Sequence, residues 1–157
     1  MINGLKRISS FTFLKQNIGS PPFLTLFVTS KCNLRCLHCF NWKSLNKKDD
    51  LALEEIKKLS LQLEDLDSLL ISGGEPFLRD DLPKIVEFFY KNNKLNTLTI
   101  PTNGFLTEKI HSQIQKILKI AEGKTVWLNF SLDGTEKMHD QSKLYCLTML
   151  QNRYELN

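Results

Sequence analysis

The chain has 157 residues, 41% hydrophobic and 24% charged, a balance that suits one globular domain or a large part of one, with a core that needs no staples. Its 21 Lys and Arg against 17 Asp and Glu leave a mild net charge of +4, read as distributed along the chain, which makes no case for nucleic acid. Apolar runs such as Phe23 to Val28 are strand-length, far below the ~18 residues of a membrane span. Lys6-Arg7 followed by Ile8 to Leu14 imitates a short export signal, but Lys15 interrupts it and no small-residue cleavage site follows. The expectation is a soluble, cytoplasmic protein without membrane contact.

In chain order, residues 1–22 read as an amphipathic N-terminal segment ended by Pro21-Pro22, and Phe23 to Thr29 as a buried strand. A cysteine-bearing loop follows. Asp49 or Asp50 then offers a helix cap ahead of Leu53, Ile56, Leu59 and Leu63 at helical spacing. Ser68 to Ser72 is a second strand, closed by Gly73-Gly74. Asp80 or Asp81 caps a helix with Leu82, Ile85, Val86 and Phe89 on one face and Pro83 in its first turn. Leu95 to Ile100 is a third strand, ending at Pro101-Thr102-Asn103-Gly104. The next helix groups Ile110, Ile114, Ile117 and Leu118, and Gly123 stops it. Val126 to Ser131 is the fourth strand, and Asp133-Gly134 turns the chain.

Strand ends at Ile71, Ile100 and Phe130 lie 29 and 30 residues apart with a helical pattern in each gap, so the chain is a run of β–α units. Such units build a parallel sheet with right-handed crossovers, whose strands all present their C-terminal ends on one rim. That rim is where barrels and open α/β sheets carry their active sites. The cysteine loop, Gly73-Gly74-Glu75, Thr102-Asn103-Gly104 and Ser131-Leu132-Asp133-Gly134 each follow a strand, so all four are expected to meet there.

The strongest chemical signal is Cys32, Cys36 and Cys39, a C-x3-C-x2-C triplet. Thiolates hold iron–sulfur clusters, four for a closed cubane, so three from one loop leave one iron open for chemistry. A zinc site wants paired arms from separate segments, and Cys146 has no cysteine beside it. A buried helix stripe is opposed by Lys31, Asn33, Arg35 and His38 around the triplet, and a disulfide by the cytosolic reading. His38, wedged between two of the cysteines, is disfavoured as a fourth ligand by loop geometry, and Cys146 is read as a buried or incidental thiol.

Phe40 is expected to pack over a flat ligand or the cluster. Gly73-Gly74-Glu75-Pro76 sets close-approach backbone beside a carboxylate, a grip for an ammonium group when it stands beside a cluster. For Thr102-Asn103-Gly104 a plain turn and a ligand-facing role both fit. Asp133-Gly134 lacks the alternating strand that a hairpin needs after it, which favours ligand-facing roles for Ser131 and Asp133.

These residues resemble the signature of the radical S-adenosylmethionine (radical SAM) superfamily over about Phe23 to Asp140. The resemblance implies a partial (β/α) barrel in which Cys32, Cys36 and Cys39 bind a [4Fe-4S] cluster. S-adenosylmethionine would chelate the unique iron, and one electron would cleave its sulfonium to a 5′-deoxyadenosyl radical that abstracts a substrate hydrogen. It places Phe40 near the adenine, Gly73, Gly74 and Glu75 at the methionine amino group, and Ser131 and Asp133 within reach of the ribose. A ferredoxin or flavodoxin-type electron donor is implied. Ser131 to Gly134 with His139-Asp140 is most similar to the peptide- and protein-modifying (SPASM-type) subgroup, hence a peptide or protein substrate.

The family core has six β–α units, whereas this α/β chain is expected to stop after about four, with an incomplete core domain over 23–140 and an atypical tail over 141–157. The fourth strand is then an exposed edge. A fragment of a larger enzyme is favoured over a chain completed by a second polypeptide. The competing function is a non-catalytic iron–sulfur fragment or electron carrier, which has no need of Gly73-Gly74-Glu75.

Overall fold

The computed structural model describes residues 21–47, 50–135 and residue 142. His139, Asp140, Cys146, nearly all of the N-terminal segment and, Ser142 apart, the tail lie outside the described residues. Four strands, β1 (Phe23–Thr29), β2 (Ser68–Gly73), β3 (Thr97–Thr102) and β4 (Thr125–Phe130), alternate with helices α1 (Leu53–Gln62), α2 (Leu82–Asn92) and α3 (Thr107–Ile120).

All pairings are parallel, and the strand order in the sheet is the chain order, β1-β2-β3-β4. An order that never reverses is the winding of a barrel, since a doubly wound sheet returns past its first strand. The fold is therefore α/β of the partial-barrel type.

Strand alternation decides which face the helices cover. Val28, Ile71 and Ile100 are fully buried, and pack with Ile56 of α1, Ile85, Val86 and Phe89 of α2, and Ile117 of α3. Each such side chain contributes roughly 1.5–3 kcal/mol on burial. The opposite face is open among the described residues: Phe23, Phe27 and Trp127 are about half exposed or more. Thr25, Leu70, Thr99 and Trp127 stand in register across it. β1, expected to be buried, is thus covered on one face only among the described residues, where β4 pairs with β3 alone.

Three expectations need correction. Leu118 is 48% exposed, and Gln113 occupies the buried side of α3 instead, its amide donating to the Arg79 carbonyl at 2.9 Å. Asp50 does not cap α1. Ala52 is the N-cap, with its N–H held by Glu55 at 2.8 Å. Asp81 stands at the N-cap of α2 but makes no side-chain cap bond, because its carboxylate is taken by Arg79. Among the described residues no helix is long and apolar enough to cross a membrane.

Candidate functional site

Whatever follows each strand meets on one rim, and backbone bonds hold it there. Beyond β1, the Gly74 N–H donates to the Thr29 carbonyl and the Glu75 N–H to the Lys31 carbonyl, both at 2.8 Å. Those contacts require glycine. A Cβ on Gly73 would stand 2.2 Å from the Thr29 oxygen, and Gly73 also has a φ of +130°. The glycine pair is therefore what lets the cysteine loop lie against the end of β2.

The cysteine loop is closed at its base. Asn46, at a φ of +58°, donates its N–H to the Ser30 carbonyl at 2.8 Å and accepts the Cys32 N–H on its side chain at 3.2 Å. Asp50 accepts the Thr29 hydroxyl at 2.7 Å and the Ser30 N–H at 2.5 Å. Partial burial alone would raise the Asp50 pKa, but these bonds outweigh it and hold the carboxyl below the usual range. Leu34, 2% exposed, anchors the loop in the core. The Cys39 N–H returns to the Cys36 carbonyl at 3.1 Å, making a turn between two of the thiols.

Glu75 is the junction of the rim. Its carboxylate is buried, at 1% exposure, and accepts the Phe77 N–H at 3.2 Å, the Thr102 hydroxyl at 3.0 Å and the Asn103 N–H at 2.8 Å. Asn103 then reaches the cysteine loop, its side-chain amide donating to Asn33 Oδ1 at 2.8 Å and lying 4.0 Å from Cys32 Sγ. Thr102-Asn103-Gly104 is consequently a tie between β3 and the cysteine loop. From β4, the Ser131 N–H joins the Thr102 carbonyl at 3.0 Å, and Asp133 Oδ1 lies 3.3 Å from His38 Nε2. His38, read above only as a disfavoured ligand, thereby joins the loop to the turn after β4.

All three cysteines are free thiols and half-buried. Burial pushes the Cys32 thiol up, the Leu34 N–H at 3.4 Å opposes it, Glu75 and Cys39 add to the rise, and the Asn103 amide opposes it again. Phe40 is 82% exposed and meets Phe27 of the open sheet face edge-on, with centroids 6.5 Å apart. Among the described residues, the cysteine loop with Phe40, Gly73 to Glu75, Thr102 to Gly104, and Ser131 with Asp133 each follow the C-terminal end of a strand on this rim. Asn46 and Asp50 went unassigned to it, although Asn in a left-handed turn was a visible signal, and for Asn103 the tie to the cysteine loop was neither of the two roles weighed.

A parallel, barrel-ordered sheet with a three-thiol loop on its C-terminal rim defines an α/β protein of the partial-barrel class. Comparison with known proteins identifies which: residues 26–144 match the Radical SAM superfamily, and the chain belongs to it. It is 36% identical over 116 residues to GTP 3′,8-cyclase of Peptoclostridium acidaminophilum, covering 71% of this chain and 34% of that protein. It is 32% identical over 123 residues to Fe-coproporphyrin III synthase of Methanosarcina barkeri, covering 76% of this chain and 29% of that protein. The chain thus spans about a third of the length of these relatives. A crystal structure of BtrN in complex with AdoMet and 2-DOIA shares 21% identity at a TM-score of 0.48, over 80% of this chain and 52% of that one.

The cofactors of the superfamily are a [4Fe-4S] cluster and S-adenosylmethionine, and the donor set fits the first. Three free thiols occupy one anchored loop, and N–H groups from Leu34 and Asn103 face the Cys32 sulfur, where they stabilise negative charge on a thiolate. Among the described residues no three His, Cys, Asp or Glu side chains close on a single ion. A cubane binds each thiolate at its own corner, so three thiols spread along one loop suit it.

Proposed function

We propose that this chain carries the cluster-binding half of a radical SAM enzyme, with Cys32, Cys36 and Cys39 as the cluster ligands. The observation that carries the reading is the anchored three-thiol loop, tied to the ends of β2 and β3 through Gly74, Glu75 and Asn103. When bound, the cluster and S-adenosylmethionine supply a one-electron cleavage whose adenosyl radical takes a hydrogen atom from substrate. The chain's part is to orient those groups and exclude competing reactions. In this reading Gly73, Gly74 and Glu75 receive the methionine amino group, Phe40 flanks the adenine above Phe27, and Ser131 and Asp133 reach the ribose, Asp133 exchanging His38 for it. The core domain covers 23–140, the tail 141–157, and the working site is cytoplasmic.

For the substrate, the peptide or protein reading rests on Ser131 to Gly134 and His139-Asp140. The names of the relatives point instead to small molecules, a nucleotide for one and a tetrapyrrole for the other, and we favour a small molecule. The peptide subgroup is the second reading.

Anaerobic reconstitution followed by titration with S-adenosylmethionine tests the function. A cluster spectrum perturbed by the cofactor supports the enzyme, and a cluster indifferent to it supports the electron carrier. No uptake of iron and sulfide removes both.

A further inference from the structure

Asn103-Gly104 carries a chemistry that the site described above does not use. In an asparagine followed by glycine, the next main-chain nitrogen can attack the side-chain amide, because no Cβ shields that nitrogen. Neither residue is easily exchanged here. Asn103 ties β3 to the cysteine loop, and Gly104 stands at a φ of +79°, where a Cβ would also crowd the Phe130 ring at 3.2 Å. Both residues are only partly buried, so water reaches them. Yet both reacting groups are held. The Gly104 N–H donates to Thr102 Oγ1 at 3.2 Å, the Asn103 side-chain amide donates to Asn33 at 2.8 Å, and the Asn103 side-chain oxygen accepts the Phe105 N–H at 3.0 Å.

We propose that Asn103-Gly104 is a latent deamidation site, masked while the cysteine loop is closed against β3 and released when the loop opens. The Gly104 nitrogen forms a bond to Asn103 Cγ, the Cγ–Nδ2 bond breaks, and ammonia leaves with the proton that the Gly104 nitrogen gives up. Water then opens the cyclic imide at either carbonyl, leaving aspartate or isoaspartate and releasing a proton. Nothing is oxidised or reduced, and water is the only co-reactant. The product dismantles the mask. A carboxylate at 103 has no N–H to offer Asn33, and it sets a negative charge beside Cys32 Sγ, 4.0 Å from the present amide nitrogen, and beside the buried Glu75 carboxylate that accepts the Asn103 N–H. Isoaspartate also inserts an extra carbon into the main chain between the Asn103 N–H and the Phe105 N–H, so the turn cannot close as before. A transient opening of the loop is thereby made permanent. A bound cluster opposes that opening by mass action; this link rests on the cluster reading above, whereas the latent site itself does not.

The test holds the full chain, free of iron, at mildly alkaline pH and reads conversion of each asparagine by peptide mass spectrometry, with isoaspartate counted by enzymatic methylation. Asn3-Gly4, the other Asn-Gly pair of the sequence, is the clock within the same molecule. Asn103 should convert about tenfold or more slowly in the native chain than in the chain unfolded by urea. Asn33→Ala, which removes the partner of the Asn103 amide, should move Asn103 toward the urea rate while Asn3 keeps its wild-type rate. Equal Asn103 rates in native and urea-unfolded wild type overturn the masking, and so does a folded Asn33→Ala chain whose Asn103 converts no faster than in wild type. Asn103→Asp should take up less iron on anaerobic reconstitution than Asn103→Ala, and equal uptake in the two overturns the claim that the product disables the loop. Reconstituted wild type should convert Asn103 more slowly than the iron-free chain, and an unchanged rate in a chain that holds iron overturns the coupling to the cluster. A wild-type chain that takes up no iron removes the cluster reading and that coupling, while the urea and Asn33→Ala comparisons still decide the latent site.

Discussion

A Cβ on Gly74 would stand 2.1 Å from the carbonyl oxygen of Lys31, the same oxygen that receives the Glu75 N–H at 2.8 Å. Both partners are backbone, so neither can swing aside. Gly74→Ala should therefore push the cysteine loop off β2, at about 1–3 kcal/mol in urea unfolding. Iron bound after anaerobic reconstitution should fall to a minor fraction of wild type. Gly123→Ala is the control: its φ of +73° makes it strained, at about 1–2 kcal/mol, yet nothing lies within 4 Å of the added carbon. Equal iron loss in the two variants would sink the idea that Gly74 serves the loop.

Glu75→Gln tests the junction. The carboxylate accepts three hydrogen bonds from Phe77, Thr102 and Asn103, whereas a glutamine must turn an NH2 toward at least one of those donors. A buried donor facing a donor costs about 1–3 kcal/mol. The variant is expected to unfold at lower urea, to keep its iron, and to bind S-adenosylmethionine more weakly. Unchanged stability would mean that the carboxylate is not held as described.

How much of this was legible beforehand follows from what periodicity encodes. Val28, Ile71, Ile100 and the Leu82, Ile85, Val86 and Phe89 stripe were readable because a two-residue or helical repeat names the buried face. The shared rim was readable because parallel strands all end on one side. Partners distant in sequence were not: Asn103 meets Asn33 across 70 residues and Arg79 meets Val28 across 51, and no local pattern records either. Gln113 and Leu118 both fit a helical stripe, and what placed Gln113 inside was a carbonyl on another segment, that of Arg79.

Cys36→Ala and Asn103→Ala should separate ligand from support. Losing one of three thiols should abolish cluster assembly, read as iron and sulfide per chain. Asn103→Ala keeps every thiol but removes the 2.8 Å bond to Asn33, the weak 4.0 Å contact with Cys32 Sγ, and the side-chain oxygen that accepts the Phe105 N–H at 3.0 Å. It should lose about 1–2 kcal/mol of stability and still assemble a cluster. Because N–H donors favour the more negative, reduced form, the cluster potential should move downward. A potential equal to wild type would restrict Asn103 to folding.

Arg79 makes the pH dependence testable. Its guanidinium donates to the Val28 and Leu51 carbonyls at 2.8 Å each and to both oxygens of Asp81 at 2.7 Å, from a side chain only 12% exposed. The hydrogen bond from Arg79 holds the Asp81 carboxyl below its ordinary range, against the opposing effect of partial burial. A depressed folded pKa means that the stabilisation is complete above the unfolded value and is lost as pH falls through the lower folded one. Arg79→Met keeps the length and removes the donors, leaving two carbonyls and a carboxylate without them. A loss of about 2 kcal/mol or more is expected at neutral pH, below the full cost for a buried pair because Asp81 is partly solvated. Urea midpoints followed from about pH 6 down to about pH 3 should then draw closer for variant and wild type as acid protonates Asp81, without meeting, because the bonds to the Val28 and Leu51 carbonyls do not titrate. The acid sensitivity carried by Asp50 and Asp67, whose carboxyls are also held low, should remain in both. Parallel curves with no narrowing would show that the Arg79 contribution does not run through Asp81.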